Sequence, residues 1–234
     1  EIKIGKKIKS CAYSLNDLVT NQRGGMLQSF LSETADKFAI GGKELQRYEI
    51  LLNSKKKLDS NHGFLSSVIN DDGVLVQNII AHIQNPLPHI KITATIPDIR
   101  IIHDCFILDT VNQLVPLDKQ IDKHFIMALL NSKLINWYAY KFIYANAIRT
   151  MHFDSPATGK VPVPFTNIPK DLLKIYEQII SLNQEIFTVK NSVTNLRLSE
   201  DLKNLDNKII YLTSKIDQLV YQLYNLTEEE IRII

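Results

Sequence analysis

The sequence predicts an α+β chain, with a mostly β N-terminal recognition region and packed helices, followed by a C-terminal antiparallel helical hairpin. Three observations predict it. Short β-branched runs separated by turn signals extend to about Pro116. An apolar stretch with helical spacing follows. The last third then carries two apolar stripes whose steps alternate between three and four residues. Leu172, Ile175, Ile179, Leu182, Ile186 and Val189 form the first stripe. Leu198, Leu202, Leu205, Ile209, Leu212, Ile216, Leu219 and Leu223 form the second. Such stripes are the seam of two helices packed side by side. Lys190 to Arg197 leave room for the turn between them. Residues 1–165 are expected to form one region and residues 166–234 the hairpin.

The elements follow in order. Phe38-Ala39-Ile40 runs into a tight turn at Gly41-Gly42, then Lys43 to Tyr48. Asp71-Asp72-Gly73 opens the run Val74 to Ile80. Lys91 to Ile96 alternates and closes at Pro97-Asp98. Ile99 to Leu108 is another apolar run, broken by His103-Asp104. Several short strands of this kind predict a twisted or barrel-like sheet. Asp118 to about Ile148 reads as helix, with Leu129, Leu130, Leu134 and Ile135 on its core face. Met151 to Pro169 reads as an irregular loop, at a length where loops tend to carry function. Thr227-Glu228-Glu229-Glu230 has the capping-box pattern that starts a short last helix.

Composition narrows the class. The chain has 234 residues, 45% hydrophobic and 22% charged, which excludes general disorder. Cys11 and Cys105 have no CxxC partner, so both are expected as buried thiols in a reducing compartment, with no zinc site. Asn131, Lys133, Asn136, Lys141 and Asn146 interrupt the most apolar stretch, so no membrane span is expected. No apolar segment of signal-peptide type follows Glu1 to Lys7, and a cytoplasmic location is expected. The first residue is Glu, which suggests a piece of a longer protein. Net charge is +2, unevenly spread. Between Glu1 and Lys57 there are 11 Lys and Arg against 6 Asp and Glu. A polyanion could dock on this basic third, although a solvated lysine-rich surface gives the same pattern.

Catalytic patterns are missing. Asn85-Pro86-Leu87-Pro88 lacks the second Pro and the aromatic of an exocyclic-amine methyltransferase tetrad. Gly24-Gly25 and Gly41-Gly42 make neither a dinucleotide fingerprint nor a P-loop. Pro97-Asp98 is followed by Ile99-Arg100-Ile101, not by the acid and lysine of a metal-dependent nuclease. The six His are scattered. No catalytic residue, metal ligand or cofactor is therefore expected in this chain.

Polar groups in loops remain. Lys43, Arg47 and Tyr48 follow a Gly-Gly turn and are expected to project freely. Gln77 and Asn78 interrupt an apolar run, where amides either satisfy backbone or face a ligand such as an adenine edge. Arg149, Thr150, His152, Asp154, Ser155, Thr158 and Lys160 cluster on the long loop. That mix suits base edges and phosphates, or a hydrogen-bonded surface loop.

Four segments carry a resemblance: Gly41-Gly42-Lys43-Glu44-Leu45-Gln46-Arg47-Tyr48, Leu75-Val76-Gln77-Asn78-Ile79 with Ala94 in the next strand, Phe125 to Tyr138 continuing to Val161-Pro162-Val163-Pro164, and Leu205 to Ile209 with Ile216 to Ile231. Together they resemble the C-terminal specificity domain, or target recognition domain, of type IIG restriction–modification enzymes and Taq-type N6-adenine DNA methyltransferases. Asn225 stands where that family usually has Gly, and Asn also accepts a left-handed helix cap. The resemblance implies a domain that reads double-stranded DNA. The methyltransferase domain of a parent chain, with or without an endonuclease, would supply S-adenosylmethionine chemistry, and Mg if it cuts. It implies DNA contacts at Lys43, Arg47, Tyr48 and Gln77, whereas Asn78, Arg149, Thr150, His152, Asp154 and Lys160 are expected on DNA from position and chemistry. Two alternatives stay open: half of a type I restriction specificity subunit, and a protein-interaction module that uses the hairpin.

Overall fold

The structure, a computed structural model, describes residues 1–11, 13–63, 65–98, 105–164, 170–192 and 199–234. The run from Ile99 to Asp104, Pro169 and the centre of the expected hairpin turn lie outside the described residues, as do Leu198 and the side chains of Leu172 and Leu202.

The chain opens on helix α1 (Ile2–Lys9), where strands and loops were expected. Ile4 and Ile8 are buried on one face and Lys3, Lys6 and Lys9 lie on the other. Eight residues with Gly5 at the centre are marginal as an isolated helix. Tertiary packing holds it. A Cβ on Gly5 would lie 2.3 Å from the Phe142 ring, so only glycine lets this aromatic seat so close.

Strands β1 (Tyr13–Ser14), β2 (Val19–Arg23), β3 (Lys37–Ile40), β4 (Leu45–Gln46), β5 (Glu49–Ile50) and β6 (Lys57–Leu58) come next. Then follow β7 (Val74–Gln77), β8 (Ile79–Ile80), β9 (His82–Ile83), β10 (His89–Ile90), β11 (Ala94–Thr95), β12 (Phe106–Ile107) and β13 (Val111–Pro116). Two more, β14 (Met151–His152) and β15 (Pro162–Val163), lie in the expected irregular loop. The described strands do not close one barrel. They divide into a four-stranded antiparallel sheet ordered β11-β7-β13-β2, a three-stranded sheet ordered β12-β3-β6 and four two-stranded pairs. Pairings of two residues cannot propagate a continuous sheet, so turns and side chains connect the pieces.

The expected helix from Asp118 to Ile148 is broken at Ser132. Helix α2 (Lys123–Asn131) ends there and α3 (Lys133–Tyr138) begins, continuing into a π-helical turn at Ala139–Ile143. Ser132 takes extended backbone angles and its Oγ accepts from the Ile135 amide, so a helix-capping residue ends one helix and starts the next. The two asparagines flanking this break close the edge of the four-stranded sheet. Asn131 pairs through Oδ1 and Nδ2 with both backbone groups of Ala94, each at 3.0 Å. Asn136 Oδ1 accepts from the Ile92 amide at 2.6 Å. An edge strand that would otherwise offer bare backbone is thus satisfied by side chains.

Beyond α4 (Ser155–Thr158), helices α5 (Lys170–Ser192) and α6 (Ser199–Leu223) form the antiparallel pair. Glu185 meets Lys208 at 2.8 Å, and Leu182, Tyr211 and Leu219 line one groove between the two helices. Ile179, Ile186, Leu212, Ile216 and Leu223 of the stripes are buried, as are Tyr176, Asn183, Val220 and Tyr221 outside them. The extra burial arises because α5 also packs on α2: the rings of Phe125 and Tyr176 lie 4.5 Å apart, and Asn183 Nδ2 donates to the His124 carbonyl at 2.6 Å. Side chains on both sides of residue 165 therefore share one core with Val74, Val76, Ile92 and Ala94 of the sheet. Asn225 adopts φ 55, as its position after α6 predicts, and Thr227 caps α7 (Glu228–Ile231) in a capping box with Glu230. Among the described residues no helix is long and apolar enough to cross a membrane.

Candidate nucleic-acid interface

Four of the ten candidate residues point inward. Arg47 and Tyr48 form the two-residue turn between β4 and β5, and Tyr48 takes φ 68. Arg47 does not project: its Nε and Nη2 donate to the Ile92 carbonyl at 3.0 and 2.9 Å, and Nη2 also reaches Asn136 Oδ1. Burial pushes its pKa down, opposed by the nearby Tyr48 and Asp217. Tyr48 is 3% exposed, and burial pushes its hydroxyl pKa up. Gln77 Nε2 donates to the carbonyls of Gly42 and Leu45 at 2.6 and 3.0 Å. Asn78 is fully buried and its Nδ2 donates to the Asp109 carbonyl at 3.2 Å. Arg47, Gln77 and Asn78 thus donate to backbone carbonyls, and Arg47 and Tyr48 do not project freely as their place after the Gly-Gly turn predicts. Lys43 is exposed, and makes no hydrogen bond or ion pair among the described residues.

The segment from Arg149 to Lys160 is ordered and pinned. Met151 and His152 pair with Ile80 and Ile79 across β14 and β8. Alternation along the strand sends Met151 and Phe153 inward and His152 outward. Phe153 is fully buried; its amide donates to the Asn78 carbonyl at 2.7 Å and its carbonyl accepts from Asn112 Nδ2 at 2.7 Å. Tyr144 donates its hydroxyl to the His152 carbonyl at 2.9 Å. At the far end Thr158 is buried. Its Oγ1 donates to Asn16 Oδ1 at 2.6 Å and accepts from Asn21 Nδ2 at 3.1 Å. Asn16 Nδ2 also donates to the Ser155 carbonyl at 2.9 Å.

On this anchored backbone Arg149, Thr150, His152 and Lys160 are exposed and Asp154 is half-buried. The side chains of Arg149, His152 and Lys160 make no hydrogen bond or ion pair among the described residues, so their donors face outward without partners. Burial and the charge of Asp154 push the Tyr144 hydroxyl pKa up.

A second turn adjoins this face. Asp109 accepts from Arg23 Nε at 2.7 Å through its carbonyl and from Gln28 Nε2 through Oδ1. Thr110 Oγ1 accepts from the Gly42 amide at 2.9 Å, and its carbonyl from the Asn78 amide at 2.9 Å. Lys43 thus follows a residue tied to Thr110, and Asn78 precedes Ile79, which pairs with His152. The anchors Asn16, Asn21, Asn112 and Tyr144 carry no signal in the sequence, because nothing local marks a side chain that reaches a distant loop. Among the described residues no group of three or more His, Cys, Asp and Glu is arranged to hold a metal ion. The chain matches no family model and no curated protein.

Proposed function

We propose that this chain is the sequence-recognition domain of a restriction–modification enzyme, an adenine-specific DNA methyltransferase with or without endonuclease activity. One observation carries the reading beyond the resemblance. The Arg149–Lys160 segment holds unpartnered polar side chains on a backbone fixed at Met151, Phe153 and Thr158. Base readout needs donors and acceptors at set positions, and a preorganised loop does not have to be ordered when DNA binds. Arginine suits guanine O6 and N7, an acidic side chain accepts from cytosine N4, and lysine suits phosphates. Arg149, Thr150, His152 and Asp154 are the base-reading set, and Lys43 and Lys160 hold phosphates. The partners are double-stranded DNA and the catalytic domain of the parent chain, in the cytoplasm. That domain binds S-adenosylmethionine, and Mg if it cuts, and extrudes the adenine.

His152→Ala tests the assignment. It is expected to relax preference at one base pair by roughly 1–3 kcal/mol while leaving affinity for unrelated duplexes unchanged. A uniform loss across all sequences would remove His152 from the reading set. The interaction-module reading is favoured by a different feature, a groove of about 400 Å³ between α5 and α6 beside the exposed Tyr211. Self-association through that groove, seen as a mass above the monomer, would support it.

A further inference from the structure

Two of the cations around α1 are paired and three line a cleft beside it. Lys7 pairs with Glu230 at 2.7 Å, and Lys141 pairs with Glu1 at 3.1 Å. Lys6, Lys9 and Lys160 make no ion pair among the described residues, and these three line one cleft of about 720 Å³. The cleft runs between α1 and the turn that ends the Arg149–Lys160 loop, with Tyr13 and Phe142 among its apolar walls. Asp17 is its single acidic lining residue among those described. That carboxylate is turned to Ser14, accepting from the backbone amide and Oγ at 2.8 Å each. Cys11 lies in the same wall as a neutral thiol, its pKa pushed up to about 11 by burial. Three unneutralised ammonium groups therefore face a concave, partly aromatic wall with one committed carboxylate against them.

We propose that this cleft binds the sugar–phosphate backbone of duplex DNA flanking the bases read by the Arg149–Lys160 loop. The inference rests on the recognition reading and extends it to α1. Lysines act as point charges on phosphate and carry no base information, which suits a positioning contact. The volume exceeds that of a phosphate, and the apolar walls suit a deoxyribose. Cleft and loop are also physically continuous. Lys160 belongs to both, and Tyr144, two residues beyond Phe142, holds the His152 carbonyl.

The test is duplex binding by the whole chain as a function of salt, with Lys6→Ala/Lys9→Ala against wild type. Losing two phosphate contacts lowers the log–log salt slope by about 1.8. Between 50 and 200 mM salt, the wild type then loses roughly tenfold more affinity than the double variant does. The enriched DNA sequence stays the same, and Lys6→Arg/Lys9→Arg keeps the wild-type slope. An unchanged slope in the alanine variant, with the preferred sequence intact, overturns the cleft assignment and leaves the recognition reading standing. A wild-type chain that binds no duplex overturns both.

Discussion

Arg47 donates from Nη2 to Oδ1 of Asn136 at 3.3 Å, joining the β4–β5 turn to the first turns of α3. Asn136 is itself bound to the Ile92 amide, so one asparagine connects a turn, a sheet edge and a helix. Arg47→Ala leaves the Ile92 carbonyl without its donors and is expected to cost about 1–3 kcal/mol of stability. Denaturant unfolding checks this. The salt slope of DNA binding should not change, because the guanidinium faces the interior; a reduced slope at full stability would return Arg47 to the phosphates.

Asp217 gives a pH-dependent prediction. It is 3% exposed and accepts from the Lys133 amide at 2.8 Å, at the start of α3. Burial raises its pKa above the usual 3.8, opposed by the Lys133 hydrogen bond, its charge and that of Arg47. A carboxyl whose folded pKa lies above its unfolded value binds its proton more tightly in the native state. Its contribution to stability is fully present below the unfolded pKa and is lost as pH rises through the folded one. Asp217→Asn keeps an acceptor for Lys133 and removes the buried charge. It should be at least as stable as wild type at pH 7, with the difference shrinking as pH falls toward 3.8. A variant less stable at pH 7 than at pH 4, relative to wild type, would show that the ionised form is the favoured one.

Thr158→Val tests whether the reading loop depends on its anchor. The variant keeps the shape and removes the hydroxyl that Asn16 and Asn21 share. A stability loss of about 1–3 kcal/mol is expected, with faster amide exchange from Arg149 to Lys160. Discrimination between DNA sequences should fall while affinity for generic duplex stays within a few-fold. Unchanged exchange in the loop would mean that Met151 and Phe153 suffice to fix it.

The parts of the fold legible in the sequence are those set by local pattern. Ile179, Ile186, Leu212 and Ile216 are buried where the three–four alternation puts them. Thr227 caps and Asn225 turns as short-range rules require. Helix α1 was not legible, since Gly5 makes sense only against Phe142, far along the chain. The candidate site divides in the same way. The exposed polar side chains of the Arg149–Lys160 loop follow from its composition. The inward course of Arg47 and Gln77 does not, because each is drawn to backbone carbonyls at Ile92, Gly42 and Leu45 that folding alone brings near. Residue type says that an arginine seeks acceptors, and tertiary structure decides whether they are phosphates or carbonyls.

The most direct test of the account is selection of the whole chain against a random pool of duplex DNA at low salt, followed by sequencing of what is retained. One enriched motif is expected, altered by His152→Ala and preserved by Lys6→Ala/Lys9→Ala. A chain that retains no DNA, or retains it with no preferred sequence, would contradict it.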